Sequence, residues 1–269
     1  MNEASMICGI VLHPAGHSRS PAMHNAAFEA CGVNAEYHAF DVPPDRLADA
    51  IRGMRGLGLR QLAVSIPHKT EVMAHLDRVD ATATAIGAVN TVTLGANGLE
   101  GSNTDWIGAQ RALAREIDPK GKRAVVLGAG GAARAVVYGL LDAGAEVSVL
   151  NRTESRARLL AEELGAQKSG ALEELDSLEP EIVVNTTSVG LRSEASPVPA
   201  HALPAKGVVM DAVYEPEETR LLRDARARGA RPLGGKWMLV YQAAEQFRLW
   251  TGIEAPVDVM AEAFDAAGR

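Results

Sequence analysis

A strand–turn–helix–strand segment constrains the fold of this chain more than any other stretch of the sequence. It spans residues 123–153 and opens with a short apolar run, Arg123–Leu127, of the kind that forms a buried parallel strand. A helical pattern follows over Ala132–Ala143, and a second apolar run lies at Glu146–Leu150. About 30 residues in this order are typical of a βαβ unit that binds a dinucleotide.

The turn between the first strand and the helix carries the spacing G-x-G-x-x-[G/A] at Gly128, Gly130 and Ala133. The first glycine permits a tight turn, and the second lets backbone amides approach a pyrophosphate. The small third residue allows the helix to pack closely on the strand. The sequence therefore predicts that the cofactor is bound along this turn, by Gly128, Ala129, Gly130, Gly131 and Ala132.

The end of the second strand indicates which dinucleotide is bound. A carboxylate there would bind the ribose 2′-hydroxyl of NAD, but the sequence reads Asn151-Arg152-Thr153, with Arg156 and Arg158 close behind. The planar guanidinium of an arginine donates several charge-assisted hydrogen bonds and suits a 2′-phosphate. The alternative is that these arginines form only the solvated face of the next helix. The position of Arg152 favours NADP over NAD.

Composition and charge argue against several other classes of protein. The 269 residues suffice for one large domain or two ordinary ones, and the net charge of -7 argues against a nucleic-acid-binding surface. Arg134 and Asp142 interrupt the longest apolar run, so no stretch reaches the length of a membrane span. The first residues, MNEAS, lack the basic region of a signal peptide, and Cys8 and Cys31 form neither a disulfide framework nor a metal spacing. We therefore expect a reducing, cytoplasmic setting.

The N-terminal part of the chain alternates strands and helices and is predicted to be an α/β domain of its own. Its predicted elements are a strand at Met6–Leu12, a helix capped by Ser20 and ended by Gly32, a strand at Tyr37–Phe40, a helix over residues 45–55 and a strand at Gln61–Ile66. A hairpin is predicted around Asn97-Gly98, with arms at Ala85–Leu94 and Leu99–Asn103.

The predicted fold class is therefore α/β with two domains. Residues 1–105 form the first domain, completed by helices within residues 238–269 that pack back on it, and residues 106–237 form a Rossmann-type nucleotide-binding domain. Beyond the βαβ unit, the second domain is predicted to contain a helix over residues 154–164, strands at residues 181–184 and 208–212, and a helix over residues 217–228.

Five polar residues outside the βαβ unit could take part in chemistry, although each also has a purely structural interpretation. Ser18 and Ser20 lie at a predicted helix start, where hydroxyls and backbone amides can bind a carboxylate, or where Ser20 merely caps the helix. Lys69 follows a strand and a proline, where a lysine can donate a proton or simply be solvated. Asp105 enters a helix and Asn90 lies in a turn-like stretch, which are both common structural positions. Taken singly, these residues favour the structural interpretations.

A resemblance to a known family changes this balance. The chain contains, in order and with matching spacing, the motifs HSRSPAMHNAAF, VSIPHK, IGAVNTV, NTDWIG, LGAGGAARAV, LNRTESRA, VNTTSVGL, DAVYEPEETRLL and MLVYQAAEQFRLWTG. This series resembles that of the shikimate dehydrogenase family over nearly the whole chain. The resemblance implies reversible hydride transfer between NADP and C3 of shikimate or 3-dehydroshikimate, a step of aromatic amino-acid biosynthesis by way of chorismate.

The resemblance also implies roles for individual residues. Lys69 and Asp105 match the family's catalytic pair, with Lys69 as acid and base and Asp105 orienting it. The substrate positions are matched by Ser18 and Ser20 for the carboxylate, by Ser65, Asn90 and Gln242 for the ring hydroxyls, and by Tyr214 near the carboxylate. The cofactor positions are matched by Asn151, Arg152, Thr153 and Arg156 at the NADP-selective loop, by Thr187 and Ser188 beside the adenine and ribose, and by Gly235 and Met238 at the nicotinamide.

Some positions depart from the family pattern. Ala63 replaces the asparagine of N-V-T-x-P-x-K and removes an amide near the substrate, while Ser65 stands for the usual threonine. Trp237 replaces the second glycine of G-x-G-M-L and could narrow the cleft beside the nicotinamide. These departures leave open a family member that prefers quinate or an aminated shikimate analogue. A non-catalytic module that senses the dinucleotide is a further alternative, which the intact Lys69 and Asp105 disfavour.

The expected partners are the small-molecule substrate and NADP. Neither a nucleic acid nor a membrane is expected, and the chain is expected to act as a monomer or a homodimer. None of the seven histidines falls in an H-E-x-x-H motif, and a site at His13 and His17 would need a loop geometry that the sequence does not indicate. No metal is therefore predicted.

Overall fold

The computed structural model describes residues 5–16 and 18–268, which divide into two compact units. The first unit contains the described residues up to Thr104 and those from Val240 onward, whereas the second runs from Asp105 to Leu239. His17 and most of the N-terminal MNEAS stretch, on which two of the sequence predictions rest, lie outside the described residues.

Strands and helices alternate along most of the chain. The strands are β1 (Met6–Leu12), β2 (Ala35–Asp41), β3 (Gln61–Val64), β4 (Arg78–Val79), β5 (Thr91–Gly95), β6 (Gly98–Ser102), β7 (Arg123–Leu127), β8 (Glu146–Leu150), β9 (Lys168–Gly170), β10 (Ile182–Asn185), β11 (Val208–Asp211) and β12 (Arg231–Leu233). The α-helices are α1 (Ser20–Ala30), α2 (Leu47–Leu57), α3 (Ala81–Ile86), α4 (Asp105–Leu113), α5 (Gly131–Asp142), α6 (Glu154–Leu164), α7 (Arg220–Arg228), α8 (Lys236–Thr251) and α9 (Val257–Ala266). Short 3-10 helices lie at Pro44–Arg46, Glu71–His75, Leu172–Glu174, Asp176–Leu178 and Ala200–Ala202.

The first unit is built on a mixed sheet with the strand order β2-β1-β3-β5-β6-β4. β1 runs parallel to β2 and β3, whereas β5 runs antiparallel to both β3 and β6. The apolar face of α2 packs on this sheet, where Leu47 and Ile51 join Val11, Leu62 and Val92 in one buried cluster. Burial of such a cluster provides the main stabilisation of the unit.

An aromatic layer is buried in the same unit near α1 and α9, which pack against each other. The ring of His24 stacks on Tyr37 at 4.3 Å between centroids and lies 5.1 Å from the ring of Trp250. Burial lowers the pKa of His24 to about 3, so this histidine is a neutral core residue at physiological pH. Asn25 of α1 forms two hydrogen bonds with the backbone of Tyr37, at 3.0 and 2.8 Å, and joins the helix to β2.

The second unit is built on a parallel sheet with the strand order β12-β11-β10-β7-β8-β9. This order is that of the doubly wound Rossmann fold, with β7 as the first strand. β10 and β11 are buried at every residue, and β7 and β8 at every residue after the first, as expected for parallel strands covered by helices on both faces. The two-domain α/β class predicted from the sequence is confirmed, including the return of C-terminal helices to the first unit.

The predicted hairpin arm Ala85–Leu94 is wrong in its first half, where the structure has a helix. α3 ends at Ile86, Gly87 follows it with a φ of 71°, and the strand begins only at Thr91. The side chain of Asp80 accepts a hydrogen bond of 2.6 Å from the N–H of Ala83 and caps this short helix. The cap, rather than the ATATAI composition, therefore decides the local structure.

The start of α1 also differs from the prediction. Arg19 occupies the N-cap position without a side-chain cap bond, and Ser20 is the first helical residue. The guanidinium of Arg19 lies 4.3 Å from the ring centroid of Phe264 in α9. Its side chain is thus engaged with α9, and Ser20 is not the cap that the sequence suggested.

Candidate active site

The loop that precedes α1 brings Ser18 and Ser20 together in the first unit. The N–H of Ser20 donates to Ser18 Oγ at 3.3 Å, and the N–H of Ser18 donates to the carbonyl of Ala15 at 3.3 Å. Ser20 is buried and Ser18 half-buried. Two hydroxyls therefore lie at the start of α1, where the helix dipole favours an anion.

A tight turn after β3 carries Ser65 and Lys69. The N–H of Ser65 donates to the carbonyl of Val11 at 2.9 Å, and the carbonyl of Lys69 accepts from the N–H of Val89 at 2.8 Å. Between them His68 is buried, and its Nε2 donates to the carbonyl of Val42 at 2.7 Å. The backbone on both sides of half-buried Lys69 is therefore fixed.

The structure brings Asn90 and Gln242 into direct contact, although 152 positions separate them in the sequence. Asn90 Nδ2 donates to Gln242 Oε1 at 3.3 Å and to Thr104 Oγ1 at 3.0 Å. Thr104 Oγ1 donates in turn to the carbonyl of Gln242 at 3.1 Å. All three side chains are more than nine-tenths buried, and they form a compact polar cluster within the first unit.

Ala63, the departure from the family pattern in β3, pairs with Thr91 of β5 in the sheet. Its side chain is 4% exposed and adds no polar group to the cluster. The hydrogen-bonding groups of the cluster therefore come from Asn90, Thr104 and α8.

Asp105 opens the second unit as the first residue of α4 and is 4% exposed. α4 packs on α5, and the ring of Trp106 meets that of Tyr138 edge-on at 5.6 Å. Packing on α5 fixes the helix that begins at this carboxylate.

The glycine turn after β7 has the geometry that the sequence predicts. Gly128 has a φ of 116°, and a Cβ there would lie 2.7 Å from Thr186 Oγ1. A Cβ on Gly130 would meet no heavy atom within 4 Å, so the approach to the N-terminus of α5 is open at this residue. Ala133 is fully buried on the inner face of the helix. The turn fits a pyrophosphate group, because the backbone is accessible where the amides of the helix start.

The loop after β8 presents exposed arginines. Asn151 Nδ2 donates to the carbonyl of Thr153 at 3.0 Å and closes the loop. Arg152 and Arg156 are exposed and form no ion pair with any other residue that the structure describes. Arg158, by contrast, lies 3.9 Å from Glu162. The two unpaired guanidinium groups fit a phosphate ligand.

A buried network lies at the carboxyl ends of β10 and β11. Asn185 Oδ1 accepts hydrogen bonds from the N–H and hydroxyl of Thr187 at 3.0 and 2.7 Å. Its Nδ2 donates to Asp211 Oδ1 at 2.9 Å, and Thr219 Oγ1 donates to Asp211 Oδ2 at 2.7 Å. Burial raises the pKa of Asp211 to about 6, although the bonds from Thr219, Val213 and Asn185 oppose this rise. The network fixes Thr187, next to exposed Ser188, at the edge of the sheet where dinucleotides bind.

The remaining predicted residues follow β11 and β12. Tyr214 is half-buried, and Met238 is buried in the first turn of α8. A Cβ on Gly235 would lie 2.5 Å from the carbonyl oxygen of Ala212, so only glycine fits there. The ring of Trp237 lies 3.8 Å from the guanidinium carbon of Arg115. The indole is therefore packed against a residue of its own unit.

Sequence reasoning missed five residues of these networks, namely His68, Thr104, Gln246, Asn185 and Asp211. Gln246 lies four residues after Gln242, so both fall on one face of α8, and this spacing was a usable signal. Asn185 and Asp211 each end an apolar run of a buried strand. Within the described residues there is no group of three or more potential metal ligands and no helix long and apolar enough to cross a membrane.

Three family models match successive parts of the chain. The shikimate dehydrogenase substrate-binding domain matches residues 10–92, and the shikimate / quinate 5-dehydrogenase model matches residues 109–194. The shikimate 5'-dehydrogenase C-terminal domain matches residues 235–263.

Proteins similar to the chain over almost its whole length carry the same family name. The shikimate dehydrogenase (NADP(+)) of Thermococcus kodakarensis is 47% identical over 258 residues, which cover 94% of this chain and 93% of the relative. That of Methanopyrus kandleri is 48% identical, with 96% and 94% covered. The crystal structure of shikimate 5-dehydrogenase from Thermus thermophilus in complex with NADP(H) and shikimate matches with a TM-score of 0.91 and 43% identity, over 97% of this chain and 99% of that chain.

Proposed function

This chain belongs to the shikimate dehydrogenase family, and we infer that it interconverts shikimate and 3-dehydroshikimate with NADP as its cofactor. The observation that carries this conclusion is the identity of 47% and 48% to NADP-dependent shikimate dehydrogenases across more than nine-tenths of both chains. The reaction is an oxidoreduction of the pathway to chorismate and the aromatic amino acids.

We propose that Lys69 handles the proton of this reaction. As the alcohol is oxidised, Lys69 Nζ accepts the hydroxyl proton, and in the reverse direction the ammonium group returns it to the ketone oxygen. Its fixed backbone supports this role, because a proton donor must be held within hydrogen-bond reach of the substrate oxygen. We propose that Asp105, which lies in the NTDWIG motif, is the second catalytic residue.

The substrate is proposed to be bound by polar groups of matched chemistry. Ser18 and Ser20 hold the carboxylate, since two hydroxyls at the start of α1 can each donate a hydrogen bond. Ser65, Asn90 and Gln242 hold ring hydroxyls, and the contact between the two amides supports a shared task. Tyr214 is proposed to contribute near the carboxylate.

NADP supplies the hydride acceptor when it is bound. We propose that the turn from Gly128 to Ala132 holds its pyrophosphate and that Arg152 and Arg156 hold its 2′-phosphate, with Asn151 and Thr153 shaping that loop. Thr187 and Ser188 are assigned to the adenine and ribose, and Gly235 and Met238 to the nicotinamide. The close approach of the backbone at Gly128 and the unpaired arginines support this assignment.

A spectrophotometric assay with a panel of substrates and cofactors tests the proposal. Purified protein should reduce NADP with shikimate faster than with quinate, and should use NADP in preference to NAD. Preference for quinate or for an aminated analogue would make the chain a divergent family member. Reduction of neither cofactor with any of these acids would leave only the dinucleotide-sensing alternative.

We also propose a cytoplasmic location and a monomeric or homodimeric state. The resemblance of the whole chain to enzymes of small-molecule biosynthesis supports the location. Cell fractionation tests the location, and sedimentation analysis of the purified chain tests the oligomeric state.

A further inference from the structure

A series of buried hydrogen bonds connects α8 with the start of β5 in the first unit. Gln246 Nε2 donates to Thr91 Oγ1 at 2.9 Å, and Thr91 Oγ1 donates to Asn90 Oδ1 at 2.8 Å. Gln246, Thr91 and Asn90 are each at most 1% exposed, so water does not compete for these groups. This series, called the Thr91 relay below, ends on a residue that we assign to the substrate site.

The direction of the relay is fixed at Gln246 by a backbone group. Gln246 Nε2 also lies 3.1 Å from the carbonyl oxygen of Asn90. A carbonyl can only accept, so the nitrogen of the Gln246 amide must face it. The single hydroxyl proton of Thr91, which accepts from Gln246, is then directed to Asn90 Oδ1.

A second backbone group fixes the same direction at the other end. The N–H of Thr104 donates to Asn90 Oδ1 at 2.8 Å, and an N–H can only donate. The oxygen of the Asn90 amide must therefore face Thr91 and Thr104, because both residues donate a hydrogen bond to it. Its nitrogen must face Gln242 Oε1, which in turn places the oxygen of the Gln242 amide toward Asn90.

We propose that Thr91 and Gln246 are positioning residues for substrate recognition, because their hydrogen bonds act together with that of the Thr104 N–H to fix which way the amides of Asn90 and Gln242 face. The proposal rests on the assignment of Asn90 and Gln242 to the substrate. Thr91 and Gln246 act only through these amides. An amide held in one orientation binds a ring hydroxyl without first losing rotational freedom, which lowers the free-energy cost of binding.

Substitution of Thr91 tests the relay with matched variants. Thr91→Val removes the hydroxyl at nearly constant shape, so that Asn90 Oδ1 loses one of its donors and Gln246 Nε2 loses one of its acceptors. Thr91→Ser keeps the hydroxyl. We expect Thr91→Val to raise KM for shikimate about tenfold, the scale of one lost buried hydrogen bond. The KM for NADP should stay unchanged, and Thr91→Ser should restore most of the shikimate KM. Thr93→Val is the control, because it makes the same chemical change two residues along the same strand.

A second readout separates the relay from the proposed function. In protein labelled with 15N at asparagine and glutamine, Thr91→Val should shift the side-chain amide signals of Asn90 and Gln246, whatever the substrate. If these signals shift while the wild-type enzyme fails to oxidise shikimate, the relay stands and the substrate is wrong. The relay would be overturned if a folded Thr91→Val protein had an unchanged KM for shikimate. It would also be overturned if Thr91→Ser raised this KM as much as Thr91→Val does.

Gln246→Met provides a second variant should Thr91→Val fail to fold. It removes the donor to Thr91 and leaves the carbonyl of Asn90 bonded to the N–H of Val64 at 2.7 Å. The relay predicts a smaller increase in the KM for shikimate than with Thr91→Val, again with no change in the KM for NADP. An equal loss toward both ligands would indicate a general structural defect and would contradict the relay.

Discussion

Each unit contains a buried asparagine at the centre of a hydrogen-bond network, but the two networks differ in charge. Asn90 bonds to Thr91, Thr104 and Gln242, which are all neutral at any pH the protein survives. Asn185 bonds to Asp211, a carboxylate that is fully buried. The three residues bonded to Asn90 therefore have no charge to gain or lose, whereas the second network contains a carboxylate that can change its charge.

The difference shows how a buried charge is tolerated. Asp211 accepts hydrogen bonds from the Asn185 amide, the N–H of Val213 and the hydroxyl of Thr219. Among the residues that the structure describes, it forms no ion pair. Three neutral donors offset only part of the desolvation, so the pKa of Asp211 rises to about 6. Near neutral pH, where Asp211 is ionised, this network therefore stabilises the folded state less than it does at lower pH.

The largest expected effect comes from Lys69→Ala, which should lower kcat by about 10²–10⁴-fold because it removes the proposed acid and base. The KM for NADP should remain unchanged, since Lys69 belongs to the unit assigned to the substrate. Steady-state kinetics measure both constants, and Lys206→Ala, which removes an exposed lysine, is the control. Turnover close to wild type in Lys69→Ala would exclude Lys69 as the proton carrier.

Asp211→Asn should change how stability depends on pH. The folded-state pKa of about 6 lies above the ordinary value of 3.8, so protonation of Asp211 favours the folded state. Relative to Asp211→Asn, the wild-type free energy of unfolding should rise by up to about 3 kcal/mol as the pH falls from about 7 to about 4. Denaturant unfolding at several pH values measures this difference.

The corresponding comparison in the first unit sharpens the contrast. The Thr91 relay contains no titratable group, and His24, which lies beside Gln246, has a pKa of about 3 and is therefore mostly neutral in the folded protein throughout that series. The difference in unfolding free energy between wild type and Thr91→Val should therefore be the same at every pH of the series. Two results would refute the contrast between the networks. One is a stability advantage of wild type over Asp211→Asn that rises with pH. The other is a difference in unfolding free energy between wild type and Thr91→Val that varies with pH.

Arg152→Ala should raise the KM for NADP about tenfold or more, as expected for the loss of charge-assisted hydrogen bonds. The KM for NAD should change little, since NAD has no 2′-phosphate. Arg158→Ala is the matched control, because Arg158 is also exposed but lies beside Glu162. Equal losses with NADP and NAD would show that Arg152 does not bind the phosphate.

The smallest expected effect is that of Arg115→Met. It removes the cation over the Trp237 ring, and exposed pairs of this kind contribute about 0.5–1 kcal/mol. Lys236→Met, whose Nζ lies 5.3 Å from the same ring, should have an even smaller effect on the unfolding free energy. An equal or greater loss with Lys236→Met would show that Arg115 does not hold the indole.

Sequence periodicity predicted the long buried elements well and the short ones poorly. The strands at Arg123–Leu127 and Glu146–Leu150 were placed correctly, because an apolar run between polar turns has few other interpretations. β9 and β12, with the sequences KSG and RPL, have no such run and are strands only because a neighbour pairs with them. The helix α3 depends on the cap of Asp80, a local signal that its alternating sequence concealed.

The sequence motifs predicted which residues belong to the candidate site, but not which of those residues contact one another. Asn90 and Gln242 were both predicted, but their contact depends on how α8 packs in the first unit, which periodicity does not specify. Asn185 lies in the motif VNTTSVGL and Asp211 in DAVYEPEETRLL. Their contact nevertheless requires β10 and β11 to be neighbours in the sheet, with these two residues paired. Long-range register is a property of the folded sheet rather than of either segment.

Gly128 and Gly130 of the dinucleotide turn would respond differently to substitution in a saturation library. At Gly128 any side chain would be strained by the positive φ, and its Cβ would clash with Thr186. Substitutions there should therefore reduce the yield of folded protein. At Gly130 the space is open and φ is negative, so an alanine variant should express normally and lose only turnover. A screen that scores expression and activity separately would therefore distinguish which glycine serves the fold and which serves the ligand.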